Sequence, residues 1–295
     1  MIDLHMHTNH SDGTDSVEEL LKNAEKKQLE IISITDHDSI EAYHELDANP
    51  DLRSLYSGTL IVGTEMRALY HKRNIEVLGY GVDYKTLQIS KMDSFQIQSH
   101  NLERLKEIAQ NLGVHYEEEI HISKDDPKYF YGSHVFARSV LKFPENNRIF
   151  EEMGHPFEET SFYRVHESNP QSPFYLDNSA YFPSFESVVD AIHAAGGLAF
   201  LAHGYVYQFE NPNEVIEEML ATTKIDGAEC EYPLFSEEQR RDIKAICEKY
   251  GKYQSGGSDY HAANKPNIQL GSGMNGNLAI PKSMIENWLP KVRTR

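Results

Sequence analysis

The chain has 295 residues, 39% of them hydrophobic and 25% charged, which suits one large domain or one domain with an insertion and gives no sign of disorder. A formal net charge of -18 argues against coating long DNA or RNA, but it leaves room for a small phosphorylated substrate held beside bound cations. Two cysteines are too few for a disulfide framework, and no apolar run approaches the ~20 residues of a membrane span. The opening Met1-Ile2-Asp3-Leu4-His5 is no basic-then-apolar leader, so a cytoplasmic, reducing location is expected.

Short apolar runs alternate with amphipathic helical patterns, which predicts βα units and a parallel sheet. Ile2 to Leu4 reads as a first strand. Ser16 to Lys27 reads as a helix, because Ser16 and Glu19 make a capping-box pattern and Val17, Leu20, Leu21 and Ala24 share one face. Strands follow at Ile31 to Thr35, Leu60 to Glu65 and Ile75 to Tyr80. From residue 93 to 177 the alternation stops: helical stretches (Asn101 to Leu112, His134 to Leu141) are separated by irregular segments rich in Pro, Asn, Tyr and Phe. This stretch is expected to be a small, mainly helical insertion between residues 1–92 and 178–295. Alternation then resumes with helix Ser184 to Ala195, closed by Gly196-Gly197, and strand Leu198 to Ala202. Helix Asn213 to Thr222, strand Gly227 to Cys230, helix Ser236 to Tyr250 and strand Tyr253 to Ser255 complete the pattern.

Five pieces of the chain place His, Asp or Glu directly after a short apolar strand. They are His5-Met6-His7 with Asp12-Gly13, Thr35-Asp36-His37-Asp38, Gly63-Thr64-Glu65, Ala202-His203-Gly204, and Gly256-Gly257-Ser258-Asp259-Tyr260-His261. Residues i and i+2 of an extended chain point the same way, so His5 and His7 can offer imidazoles to one ion. In parallel α/β folds the strand C-termini gather at one face, where sites are built. Mixed imidazole and carboxylate ligands suit Zn, Mn or Fe better than Mg alone, and a set this large suggests two or three divalent ions in a hydrolytic centre. No P-loop glycine pattern is present, which disfavours ATP-driven phosphoryl transfer.

HxHxxxxDG, TDHD, GTE, AH and GSDxH, in this order, resemble the PHP (polymerase and histidinol phosphatase) family, and most of all its stand-alone phosphoesterases acting on nucleoside monophosphates or 3',5'-bisphosphates. The resemblance covers nearly the whole chain. It implies a distorted seven-stranded (β/α) barrel and hydrolysis of a small phosphate monoester through attack of metal-activated hydroxide on phosphorus. It implies a first metal on His5, His7, Glu65 and Asp259, and a second on Asp12, His37 and His261. A third would share Glu65 and take His203, with Glu76 where the family usually has His. Asp12, His37, Glu65 and Asp259 would be central to catalysis. Ser133-His134-Val135-Phe136-Ala137-Arg138 looks like the family's HFAR element, so His134 and Arg138, with Arg104 as a further candidate, are expected to bind the substrate. Asp36 or Asp38 could orient a ligand imidazole, His10 reads as a surface or packing residue that could reach the outer shell because it lies close to Asp12, and Tyr205, Tyr207 and Tyr232 are candidates either for the pocket or for packing. The remaining histidines read as surface or packing residues. Competing readings are a histidinol-phosphate phosphatase, a non-catalytic metal-binding scaffold, and a metal-dependent amide hydrolase, the last disfavoured by the lack of a carbamylation-type lysine at a strand end. Nothing in the sequence specifies the oligomeric state.

Overall fold

The computed structural model describes residues 1–89, 94–124, 126, 129–154, 157–159, 161–207 and 209–295. The expected start of the insertion, at 93, and His155 lie outside these residues. The fold is α/β, organised by one seven-stranded sheet with strand order β1-β2-β3-β4-β5-β6-β7.

β1 (Ile2–Asp3) leads through a loop to α1 (Val17–Lys26), β2 (Ile31–Ile34), α2 (Glu41–Ala48) and α3 (Pro50–Arg53). The Ser16 hydroxyl accepts from the Glu19 amide while the Glu19 carboxylate accepts from the Ser16 amide, so α1 has the capping box its sequence predicts. Val17, Leu20, Leu21 and Ala24 form its buried face.

The next two strands differ from expectation. β3 runs over Thr59–Tyr70 and β4 over Arg73–Tyr80, as one long antiparallel hairpin, and β4 is also antiparallel to β5 (Leu198–Leu201). The sheet is therefore not parallel throughout. The reason is the turn: only His71 and Lys72 separate the strands, with φ of 48° and 64°. A two-residue turn with both φ positive closes a hairpin, whereas a parallel pair needs a crossover of a dozen or more residues.

Between β4 and β5 lie α4 (Ser94–Leu112), α5 (Gly132–Val140), α6 (Asn147–Met153), a wide turn at Tyr163–Glu167 and α7 (Phe185–Ala194). Leu102, Leu105, Phe136, Val140, Phe162 and Phe174 form a core cluster of their own within this stretch. α8 (Pro212–Thr222), β6 (Gly227–Glu231), α9 (Glu237–Lys249) and β7 (Tyr253–Gly256) complete the main sheet, and β8 (Ile268–Gln269) pairs with β9 (Gly273–Met274) as a small ribbon.

The sheet curls until its two edges meet. Leu4 N donates to Gly256 O at 3.2 Å and Asp259 N donates to His5 O at 2.8 Å. A Cβ on Gly257 would stand 2.4 Å from His5 N, so this approach requires glycine. Ile2, Leu4, Leu78, Tyr80, Phe200 and Trp288 pack as one cluster on the inner face, and the C-terminal segment contributes Trp288. The larger cluster holds the helices against the outside. Among the described residues, no helix is long and apolar enough to cross a membrane.

Candidate metal centre and cleft

Strand ends bring most of the predicted residues together, but Glu65, expected at a strand end, lies within β3, and Glu76 lies within β4, because the hairpin continues both strands past them. His5 and His7 continue from β1 and have no exposure. His5 Nε2 is 3.1 Å from Glu65 Oε2 and 3.6 Å from Asp259 Oδ1, while His7 Nε2 is 3.3 Å from both oxygens. A second group forms around Asp12: His261 Nε2 lies 3.0 Å from Oδ1 and His37 Nε2 lies 3.6 Å from Oδ2. In the third, His203 Nε2 is 3.0 Å from Glu65 Oε1 and 3.4 Å from Glu76 Oε2. His37 Nδ1, 3.1 Å from Glu65 Oε2 and 3.9 Å from Glu76 Oε1, ties the second group to the third.

These spacings fit shared cations. Ligand atoms around one ion at ~2.1 Å stand about 3.0–3.4 Å apart. His7 Nε2, His37 Nδ1, Glu65 Oε1 and His261 Nε2 are also buried without a hydrogen-bond partner, although carboxylate oxygens or imidazoles lie close by. Such atoms converge on common points rather than on each other, as a ligand set does. His5-His7-Glu65, His7-Asp12-His37-His261 and His37-Glu65-Glu76 each have ligand atoms close enough for one ion.

Without a cation, the charges compensate one another. Burial works against an imidazolium at His5 and His7, yet Glu65, Glu229 and Asp259 hold His5 well above its usual range, and Asp259, Glu65 and Asp12 raise His7 to about 9. Burial likewise opposes ionisation of Asp12, Glu65 and Asp259, but neighbouring histidines, and Lys265 at Asp259, hold all three well below the usual carboxylate range. His261 is pushed down to about 4, chiefly by burial.

The backbone that presents the ligands is itself constrained. Asp259, at φ 56°, and His203, at φ 26°, occupy the left-handed region that side chains avoid. Gly13 cannot be replaced cheaply either, since a Cβ there would stand 2.4 Å from His7 O.

Supporting residues surround the ligands, and several have no motif to announce them. Glu229, fully buried on β6, stands 3.1 Å from His5 Nδ1 with one oxygen and accepts from His203 N at 2.9 Å with the other. Its only sequence signal is an acidic residue at an inward position of Gly227–Glu231. Asp3 accepts from Ser258 N, Ser258 Oγ and Gly271 N at 2.8, 2.6 and 2.8 Å, pinning the Ser258-Asp259 loop to β1. Tyr131 donates to Asp12 Oδ2 at 2.8 Å, and both Tyr232 and Lys265 donate to Asp259 Oδ2, at 2.7 and 2.6 Å.

Other expected residues are placed elsewhere. Asp36 accepts from Thr8 N, Thr8 Oγ1 and Ser11 Oγ at 2.7, 2.7 and 2.6 Å, so it holds the loop before Asp12 rather than an imidazole. Asp38 pairs with Arg67. His10 lines the cleft but its ring bonds to Glu45 at 2.6 Å. Tyr207 packs beside His203 and accepts from Glu76 N at 2.9 Å, whereas Tyr205 bonds to Asn213. His166 packs among Phe157, Phe162 and Phe174, in keeping with its reading as a packing residue.

The ligands open into a cleft of about 550 Å³. His134 lines it, with Arg67, Arg164 and Lys265. Arg138 and Arg104 do not: Arg138 is 3.2 Å from Glu159 with its guanidinium over Tyr129, and Arg104 donates to Asp177 O and Asn178 Oδ1 at 3.2 and 3.4 Å. Helical spacing at i and i+4 allows His134 and Arg138 to share a face. Here the long guanidinium stem turns toward Glu159. Arg67, Lys265 and Arg164, the last from the turn at Tyr163–Glu167, are cleft cations that the sequence did not announce; Arg164 Nη2 stands 4.0 Å from Glu76 Oε2.

The family model for the PHP domain matches residues 3–163, more than half of the chain. The chain belongs to the PHP family. This PHP protein is similar to a 5'-3' exoribonuclease of Haemophilus influenzae, with 23% identity over 88% of this chain and 89% of the relative. It is equally similar to a 3',5'-nucleoside bisphosphate phosphatase of Chromobacterium violaceum, with 23% identity over 92% and 90%. A solved protein of Bifidobacterium adolescentis, assigned as a metal-dependent phosphoesterase, shares the fold with a TM-score of 0.64, 22% identity, and coverage of 99% and 96%.

Proposed function

We propose that this metal-dependent phosphoesterase of the PHP family hydrolyses a small phosphate monoester, a nucleoside monophosphate or 3',5'-bisphosphate. The observation that carries this reading is the joining of the three ligand groups through Glu65 and His37 at the floor of a cleft lined by Arg67, His134, Arg164 and Lys265. In it, His5, His7, Glu65 and Asp259 hold one divalent ion, Asp12, His37 and His261 a second, and Glu65, His203 and Glu76 a third. Mn, Zn or Fe suits these donors. Bound there, the ions would polarise the phosphoryl group and lower the pKa of water.

The protein's own part is to place the ester. Arg164 and Lys265 approach the ligand groups through Glu76 and Asp259, where their charge complements phosphoryl oxygens. His134, whose imidazolium burial disfavours, would offer a neutral ring to the substrate. Residues 93–177, in this view, are an insertion that supplies the substrate side of the cleft. The two free buried cysteines, Cys230 and Cys247, go with a reducing cytoplasmic setting. The nucleotide reading is supported by the relatives named above, one acting on a nucleoside bisphosphate and one on RNA. The surplus negative charge favours small substrates over long strands.

The test is turnover of AMP, a 3',5'-bisphosphate and histidinol phosphate by metal-reconstituted protein. Asp259→Ala and His37→Ala are each expected to lose roughly a thousandfold or more in kcat/KM with circular dichroism unchanged. Near-full activity in either variant overturns the assigned centre, and a preference for histidinol phosphate overturns the nucleotide reading.

A further inference from the structure

The cleft has a second polar wall, built by the helical stretch instead of the sheet. Asn101 on α4, Glu167 and Asn178 line it, each about 1% exposed. Each carries one buried side-chain atom with no hydrogen-bond partner: Asn101 Oδ1, Glu167 Oε2 and Asn178 Nδ2. The orientation of both amides is set by their neighbours. Asn101 Nδ2 donates to Glu167 Oε1 at 3.0 Å, which leaves its oxygen over; Arg104 donates to Asn178 Oδ1 at 3.4 Å, which leaves its nitrogen over. Leaving a buried polar group unsatisfied is costly, so three on one wall mark a place built for a partner. The pattern on offer is two acceptors and one donor. Aromatic rings, Phe130, Tyr131, Tyr163 and Phe182, line the same cleft and provide faces for a planar ring.

One common heterocycle edge is the complement of that pattern. A 2-amino-6-oxopurine presents two N–H donors, at N1 and the 2-amino group, beside the O6 acceptor. Adenine presents one donor and a lone pair on this edge, and that lone pair would face the Glu167 carboxylate once it is ionised, above about pH 7. We propose that this wall is a base-recognition subsite, in which Glu167 and Asn101 accept the guanine N–H groups and Asn178 donates to O6. The proposal rests on the nucleotide reading and names its base. It also gives Arg104 a place as a positioning residue, which holds Asn178 with its nitrogen free. The three atoms are shut off from water in the free chain, so a base enters by parting side chains that already line the cleft.

The experiment is calorimetric titration of the metal-free full chain, at about pH 8.5 where Glu167 is ionised, with guanosine, inosine and adenosine, which carry no phosphate for the metal centre. Guanosine is expected to bind tighter than either of the others by on the order of tenfold or more. Glu167→Gln, and separately Asn178→Asp, which exchanges the donor for an acceptor while leaving Arg104 a partner, are each expected to erase that margin. Equal affinity for the three nucleosides, no binding of any, or a guanosine preference that survives both substitutions overturns the subsite. Turnover of GMP and AMP by the Mn-loaded enzyme separates the two readings. Hydrolysis of both without nucleoside discrimination overturns the subsite alone, whereas guanosine binding with no phosphate ester hydrolysed overturns the phosphoesterase reading alone.

Discussion

Glu229 makes no contact with the cleft, yet it touches both His5 Nδ1 and the His203 backbone amide. A carboxylate behind a ligand imidazole fixes its tautomer and raises its basicity. Glu229→Gln is therefore expected to weaken divalent-metal affinity about 10- to 100-fold while the fold survives, as read by calorimetric titration with Mn or Zn; unchanged affinity would remove this role. Glu167 has the opposite character, a buried acid with too few partners. Burial pushes its carboxyl up to about 7, against the lowering effect of Asn101, Arg104 and Ser133. The folded chain thus holds the proton more tightly than the unfolded chain, where the value is near 4.5. Stability contributed by the protonated group is full below the unfolded value and is lost as pH rises through the folded one. Between about pH 5 and about pH 8, metal-free Glu167→Gln should gain on the order of 3 kcal/mol relative to wild type in urea unfolding. A gap that does not change with pH would show that Glu167 is not a buried acid in the free chain.

At the level of elements, features that neighbours along the chain determine are legible in the sequence. α1 has its predicted cap and buried face because an i, i+3 capping pair and a 3.6-residue stripe are properties of neighbours along the chain. The sequence predicts two separate strands, Leu60 to Glu65 and Ile75 to Tyr80, where the fold has the single hairpin of β3 and β4. Its turn, His71-Lys72, lacks the Asn-Gly or Asp-Gly pair that marks such hairpins, and Met66 to Asn74 carries charges that resemble a loop. Because Lys72 sits at φ 64°, Lys72→Gly relieves a strained backbone. It is expected to raise unfolding free energy by about 1 kcal/mol, measured by denaturant titration; a loss of stability would contradict the turn geometry. The hairpin matters for the site, since Glu65 and Glu76 lie on its two strands and both face His203.

Across the whole molecule, a chain of net charge -18 gathers Asp12, Glu65, Glu76 and Asp259 in one place, with only the histidines and a few cations to offset them. Divalent ions bound to the folded state alone relieve this and stabilise by mass action. Chelation should lower the melting temperature by on the order of 5 °C, and Mn or Zn should restore it. A melting curve indifferent to chelator would argue that the groups pair with each other and not with ions.

Most of the clustered His, Asp and Glu residues could be picked out along the chain because His5, His7, His37, His203, Asp259 and His261 closely follow short apolar runs, and a strand end is a local property, whereas Glu65 and Glu76 lie within the strands of the hairpin. The α/β class, the principal helices and the identities of the clustered imidazoles and carboxylates followed from that. Which strands pair, and in which direction, did not. Nor did the buried supports Asp3 and Glu229, the turning of Arg138 toward Glu159, or the arrival of Arg164 in the cleft. Those depend on which surfaces meet once distant segments are packed, and a side chain several bonds long takes its direction from its neighbours in space, not from its neighbours in sequence.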